Sequence, residues 1–247
     1  GLYINDFVAQ YIPPSKDKKV DTNQVKGNII LPPKNKDNKR VIAYLCKTRR
    51  IDAEIVFELI SKGKLYETAK YHNACFVCHG NNGIPHHAFM QKTKSYEKTQ
   101  HKSDEKIKNK FNVKNSDKSY GLTLEGNKNS TKVFCFENHI DGLSHATLYK
   151  MNGLDYKDGH RITLHGTSFK ALEKFLKENP QITYIISCLD NDEVGLSCGE
   201  KMCSTYSEKG YKTFMQPPRA NDYNAQLVEY VEQIETQTEL LKGMELE

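Results

Sequence analysis

The sequence predicts an α/β fold with a mainly parallel sheet in its second half, preceded by a smaller α+β domain. From residue 131 onward, apolar runs of strand length alternate with helical segments, and this pattern implies parallel strands covered by helices on both faces. The charge also changes sign: residues 1–130 carry 24 basic and 13 acidic residues, whereas residues 131–247 carry 12 and 18. We therefore predict an extended segment over 1–38, an α+β domain over 39–130 and an α/β domain over 131–247.

The first half combines a helical hairpin with a β-hairpin. Residues 13–38 are rich in Lys, Asn, Asp and Pro, which predicts an extended linker. A helix opens at Val41, and Asp52 is placed to cap a second helix that Gly63 ends. Two apolar runs within 73–90 flank Asn81-Asn82-Gly83, a turn sequence typical of a β-hairpin.

The second half contains four predicted strands and four predicted helices. Ile182–Leu189 is the strongest strand signal in the chain, because eight residues there are mostly apolar or β-branched. The other strands are predicted at 133–136, 162–164 and 211–215, and the helices follow through 143–149, 169–176, 193–209 and 223–242. This order predicts a Rossmann-like unit.

Composition excludes several classes of protein. No run approaches the roughly 20 apolar residues that cross a bilayer, and no signal peptide is evident, so we expect a soluble, cytoplasmic protein without membrane partners. The seven cysteines are odd in number and scattered, which argues against a disulfide framework. The chain starts at Gly1 without Met, which favours a longer parent protein with an upstream domain.

Acidic residues follow two of the predicted strands directly. Glu137 comes after the strand that ends at Phe136, and Asp190 and Asp192 come after the strand that ends at Leu189. Ligands of open parallel sheets bind beyond the carboxyl ends of the strands. If the two strands are neighbours, the three carboxylates meet, and such hard oxygen ligands select Mg²⁺ or Mn²⁺. The alternative for Asp192 is that it only caps the helix that begins near Glu193.

These residues lie in motifs that resemble the Toprim domain of bacterial DNA primases. Residues 134–144 (FCFENHIDGLS) resemble the strand-Glu motif of that domain, and residues 190–195 (DNDEVG) resemble its Asp-x-Asp motif. Residues 164–168 fall where Toprim domains carry a Gly-containing turn. Residues 221–224 (NDYN) look like an element that ends Toprim units in primase-like proteins of plasmids and conjugative transposons, and residues 49–121 resemble the uncharacterised domain that precedes Toprim there.

The resemblance implies magnesium-dependent nucleotidyl transfer during DNA replication of a mobile genetic element. Glu137 would act in acid/base chemistry or as a metal ligand, and Asp190 and Asp192 would hold Mg²⁺ or Mn²⁺. The implied partners are single-stranded DNA and nucleotides, together with replication or conjugation proteins.

A basic loop is the predicted nucleic-acid contact. Residues 91–119 carry nine Lys against four acidic residues, with aromatic residues between them. We assign DNA binding to four of the lysines: Lys92, Lys94, Lys98 and Lys118. A solvated loop without a ligand is the alternative.

Cysteine and histidine residues of the β-hairpin offer a second, less favoured site. Residues 75–79 (CFVCH) match a haem-attachment pattern, but they lie within a predicted strand and no secretion signal is evident. A zinc site could draw on Cys75, Cys78, His79, His86 and His87. Strand alternation, however, places Cys75 and Cys78 on opposite faces.

Two further functions remain open at this point. A Toprim nuclease of the overcoming-lysogenization-defect type uses a similar carboxylate cluster to cleave strands. A non-catalytic DNA-binding module with a Toprim fold is also compatible with the basic first half and with Asn138, which stands where the primases carry Gly.

Overall fold

The structure is a computed structural model that describes residues 29–93, 109–166 and 168–244. Its secondary structure begins with a short helix α1 (Lys39–Ala43), continued by a π-helical turn over Tyr44–Thr48. Helix α2 (Ala53–Ser61) follows, and the Asp52 side chain caps it by accepting from the Glu54 N–H at 2.9 Å. Gly63, with φ of +67°, lies just past the end of the helix. The predicted helical hairpin is therefore confirmed.

A four-stranded antiparallel sheet packs with this hairpin. Its strands, in spatial order, are β1 (Leu65–Glu67), β2 (Ala74–His79), β3 (Pro85–Gln91) and β4 (Lys110–Asn112). The central pair is the predicted β-hairpin, in which Phe76 lies opposite Phe89 and Cys78 opposite His87. Its turn contains Gly83 at φ of +73°, a conformation that glycine adopts without strain.

The second sheet has five strands in the order β5-β7-β6-β8-β9. They are β5 (Thr123–Leu124), β6 (Lys132–Phe136), β7 (His160–Thr163), β8 (Tyr184–Ser187) and β9 (Lys212–Met215). All neighbours pair in parallel except β5, which runs antiparallel to β7. The helices are α3 (His139–Met151), α4 (Lys170–Glu178), α5 (Glu193–Ser207) and α6 (Tyr223–Met244), with a 3₁₀ turn at Tyr156–Asp158. The predicted α/β fold class is thus confirmed.

Alternation along β6 shows how the sheet buries both faces. Phe134 and Phe136 belong to a core shared with α1, α2 and α3, whereas Val133 and Cys135 belong to a core shared with α4 and α5. Because the first of these cores takes side chains from both sheets and from the helical hairpin, the two halves of the chain share one apolar interior.

Three short strands were not predicted. Strand β4 lies inside the stretch 91–119 that the sequence predicts to be a loop, and β1 and β5 were also missed. Strand β5 falls within the range 39–130 predicted for the first domain, yet it hydrogen-bonds to the second sheet. We propose that the boundary between the two units precedes Thr123. Among the described residues, none of the helices combines the length and apolar character that crossing a bilayer requires.

Candidate active site

The three predicted catalytic carboxylates lie at one edge of the second sheet. Glu137 follows β6 and Asp190 follows β8, and these strands are parallel neighbours. Asp192 is the N-cap of α5, where its Oδ1 accepts from the Gly195 N–H at 2.7 Å. The capping role and a ligand role are compatible, because the cap uses one of two carboxylate oxygens.

Electrostatics show that the carboxylates influence one another. The pKa of Asp190 rises to about 6, first because the group is partly buried and then because Glu137, Asp222 and Asp192 are negatively charged. The positive charge of Lys110 opposes these effects. The edge therefore concentrates negative charge that a bound cation would neutralise.

Two further carboxylates, Asp141 and Asp222, belong to this edge, although neither is among the predicted site residues. Asp141 is 1 % exposed, and its pKa rises to about 8 because of burial and of the charges of Asp222 and Asp190. Its Oδ1 accepts from the Asn224 N–H at 3.2 Å, and its Oδ2 contacts the Asn138 amide. Both acids lie inside motifs that carry the resemblance, and their place in those motifs is the sequence feature that could have identified them as site residues.

Residues 221–224 hold the edge together. The Asn191 N–H donates to the Asn221 carbonyl at 2.9 Å, which joins this segment to the Asp-x-Asp loop. The Asn224 side-chain amide donates to Ser144 Oγ and to the Arg49 carbonyl at 3.0 and 2.8 Å. Arg49 in turn donates from Nη1 to Asn224 Oδ1 at 2.9 Å. Asn224 therefore connects the carboxylate edge to the helical hairpin.

Local sequence explains how the two motif loops reach this geometry. A Cβ at Gly195 would lie 2.2 Å from the Asp190 carbonyl oxygen, so only glycine lets α5 start so close to the end of β8. Asn138 has an extended backbone and caps α3 by accepting from the Ile140 N–H at 3.0 Å. The Asn that replaces Gly at this position therefore serves as a helix cap.

The donor set suits a hard divalent cation. Carboxylate oxygens are the ligands that Mg²⁺ and Mn²⁺ prefer. In the part of the chain that the structure describes, this edge does not bring three carboxylate oxygens within 4.8 Å of one another. Mg²⁺ does not require such convergence, because it usually keeps several waters and takes one or two carboxylates. Asp190 and Asp192 would hold it, and Glu137, the third predicted ligand, lies at the end of the neighbouring strand.

The predicted DNA-binding lysines are only partly described. Lys92 follows β3, and Lys118 is an exposed residue of the turn before Tyr120. Lys94 and Lys98 lie outside the described residues. Lys110 on β4, which was not predicted, is exposed, and its charge lowers the pKa of both Asp141 and Asp190. It is therefore a basic group close to the carboxylate edge.

A different set of potential metal ligands lies between the two sheets. In the described residues, the one group whose ligand atoms all lie within 4.8 Å of one another consists of Cys78, His87 and His165. The five-residue zinc site considered from the sequence is not formed there. Cys75 packs in a separate core with Tyr66 and Val77, as strand alternation predicts.

Comparisons with known proteins agree with this architecture. Residues 134–227 match the family described as Toprim-like, and residues 43–126 match the family described as "Protein of unknown function (DUF3991)". No curated protein matches the sequence significantly.

Several solved primase structures align with this chain. The primase fragment of the bacteriophage T7 primase-helicase protein aligns with a TM-score of 0.50 and 15 % identity, covering 88 % of this chain and 83 % of that one. The DnaG catalytic core aligns with a TM-score of 0.49 and 15 % identity, covering 81 % of this chain and 72 % of that one. The E. coli primase catalytic core aligns with a TM-score of 0.49 and 12 % identity, covering 77 % of this chain and 69 % of that one. Of these three structures, the T7 fragment reaches 0.5 and supports the fold. Residues 134–227 thus match the Toprim-like family model, and the T7 fragment supports the fold of the chain.

Proposed function

We propose that this protein catalyses divalent-cation-dependent nucleotidyl transfer on nucleic acid, as a primase-like protein of a mobile genetic element. The observation that carries the proposal is the carboxylate edge formed by Glu137, Asp190 and Asp192 inside the Toprim-like segment. The likeness in fold to the T7 primase fragment supports synthesis as the reaction.

Each carboxylate has a role that follows from its position. Asp190 and Asp192 bind the cation, and Asp190 is mainly ionised at neutral pH because its pKa lies near 6. Glu137, at the end of the neighbouring strand, accepts the proton of the attacking hydroxyl. When bound, the cation supplies Lewis-acid stabilisation of charge on the phosphoryl oxygens.

The basic segment that contains the four predicted lysines is the proposed path of the polyanion. Lys92 and Lys118 border the described part of the first sheet, and Lys94 and Lys98 extend the same basic segment in sequence. Single-stranded DNA and nucleotides are the proposed ligands, and replication or conjugation proteins are the proposed partners. We further expect the protein to act in the cytoplasm.

The test compares wild type with an Asp190→Ala/Asp192→Ala variant. Mg²⁺ and Mn²⁺ binding are measured by calorimetry, and labelled single-stranded DNA with nucleotides is then analysed for products. We expect the variant to lose cation binding and to lose activity by about 10²- to 10³-fold, because each ligand stabilises charge in the transition state. Glu200→Gln, an exposed acid of α5 away from the edge, is the matched control.

The products separate the alternatives. Extended oligonucleotides that depend on Asp190 and Asp192 support the proposal. Shortened DNA with the same dependence would replace synthesis by nuclease activity. DNA binding with no turnover and no cation binding in wild type would contradict catalysis and favour a non-catalytic module.

A further inference from the structure

A buried group of one thiol and two imidazoles joins the two sheets. Cys78 lies on β2, His87 lies opposite it on β3, and His165 lies in the turn after β7 of the second sheet. Cys78 Sγ is 4.0 Å from His87 Nδ1 and 4.0 Å from His165 Nε2. Cys78 and His87 are 1 % and 0 % exposed. We propose that Cys78, His87 and His165 bind a zinc ion that fastens the first sheet to the Toprim-like domain.

The distances are close to those of a metal-bound set. Tetrahedral zinc holds Cys sulfur at about 2.3 Å and His nitrogen at about 2.0 Å, which places the two ligand atoms about 3.6 Å apart. The two observed separations of 4.0 Å are only slightly longer. A small contraction of side chains would thus bring three protein ligands to the ion and leave the fourth tetrahedral position open.

The hydrogen bonds of His87 show what a cation at its Nδ1 would change. As placed, Nδ1 lies 3.0 Å from the Tyr120 carbonyl oxygen and Nε2 lies 3.0 Å from Asn112 Oδ1. Both partners are acceptors, whereas a neutral imidazole has one N–H, so the metal-free protein must turn the Asn112 amide around or leave one acceptor unsatisfied. With zinc on Nδ1, the Nε2–H donates to Asn112 Oδ1, which is the usual second contact of a ligating histidine, and the metal replaces the contact between Nδ1 and the Tyr120 carbonyl.

Three histidine rings pack against one another at this group. The His87 and His165 rings meet edge to face at 4.0 Å between centroids, and the His139 ring lies 4.9 Å from His165. His139 is 2 % exposed, and its Nε2 has no hydrogen-bond partner among the residues that the structure describes. His165 itself adopts φ of +59°, a conformation uncommon for a residue with a side chain. A metal ligand role gives a physical reason for holding His165 there.

Catalysis by the thiol is a poorer explanation of the same residues. A Cys beside a His is also the arrangement of a thiol nucleophile. Cys78, however, is enclosed in the core between the sheets, where a substrate cannot reach its sulfur. Zinc binding needs no such access once the two sheets have packed. Binding replaces the Sγ proton of Cys78, which is released to solvent as the zinc–sulfur bond forms.

The test measures zinc in protein purified under reducing conditions and reconstituted with Zn²⁺. Elemental analysis after gel filtration should give about one zinc per chain in wild type and none in Cys78→Ser. Co²⁺ used in place of Zn²⁺ should give a sulfur-to-cobalt charge-transfer band that is absent from Cys78→Ser. Cys75→Ser, which alters a buried thiol on the opposite face of the same strand, is the matched control and should keep both signals.

A second variant keeps the test decisive if Cys78→Ser fails to fold. His165→Ala changes a half-buried residue of a turn, and we expect it to fold while losing zinc affinity by at least tenfold. Zinc content should persist in Asp190→Ala/Asp192→Ala, so failure of the proposed enzymatic function would not remove it. Absence of zinc from reconstituted wild type, or retention of zinc in both Cys78→Ser and His165→Ala, would overturn the proposal.

Discussion

The protein contains two groups of potential metal ligands that differ in chemistry and in surroundings. The carboxylate edge offers oxygen ligands that repel one another when no cation is present, and part of it is open to solvent. The group of Cys78, His87 and His165 offers sulfur and nitrogen ligands inside the core. Oxygen ligands with exchangeable waters suit a cation that takes part in a reaction, whereas a buried set of one sulfur and two nitrogens suits a zinc ion that joins two elements of the fold.

The two groups are close in the fold although their ligands come from different segments. Glu137 and His139 are two residues apart at the start of α3, and the His139 ring contacts that of His165. The Leu164 N–H, one residue before His165, donates to the Phe136 carbonyl at 2.8 Å. The turn that would hold zinc is thus hydrogen-bonded to the strand that presents Glu137. This proximity makes it useful to perturb each group separately.

Gly195→Ala should have the largest effect that is confined to the carboxylate edge. The new Cβ would lie 2.2 Å from the Asp190 carbonyl oxygen, so α5 must move and Asp192 must move with it. We expect activity to fall by about 10²-fold, which is the usual effect of losing one group that stabilises charge in the transition state. Overpacking should also lower the free energy of unfolding by about 1–3 kcal/mol. Activity assays and thermal denaturation measure both effects.

The control for this change is Ser197→Ala, at an exposed position of the same helix. Zinc content should stay at the wild-type value in both variants, because α5 contributes no residue to the Cys-His-His group. Full activity in Gly195→Ala would show that the close approach of α5 to Asp190 is not required.

The pH dependence of cation binding should distinguish the two groups further. The pKa of Asp190 is raised to about 6, so protons compete with Mg²⁺ for this carboxylate below that value. We expect calorimetry to show Mg²⁺ affinity about tenfold weaker at about pH 5 than at about pH 7, because one proton must leave the carboxylate. Asp190→Asn should lose this dependence together with most of the affinity. An affinity that is flat over this range would show that Asp190 is not a ligand.

The sequence was sufficient to predict the parts of the molecule that regular patterns encode. Long apolar runs such as Ile182–Leu189 identify buried parallel strands, and acids directly after such strands must lie at the carboxyl edge of the sheet. Short strands carry too few residues to show a period, so β4 and β5 were missed.

Contacts between distant segments were out of reach for a physical reason. Asp222 approaches Asp190 only because residues 221–224 return to the Asp-x-Asp loop. His165 is 87 positions from Cys78, and no local pattern relates the two. Strand alternation correctly placed Cys75 and Cys78 on opposite faces of β2. It could not reveal that His165, from the second half of the chain, lies beside Cys78.

Lys110→Ala should produce the smallest of these effects, and it tests whether the carboxylate edge faces a polyanion. Lys110 is exposed on β4, and its positive charge reaches Asp141 and Asp190. If DNA passes over this face, removal of one phosphate contact should weaken DNA binding several-fold at low salt. It should also reduce the slope of log affinity against log salt by about 1. Lys177→Ala, an exposed lysine on α4 across the sheet, should change neither quantity. An equal loss of DNA affinity in the two variants would mean that binding depends only on the net charge of the protein. Lys110 would then make no specific contact with DNA beside the carboxylate edge.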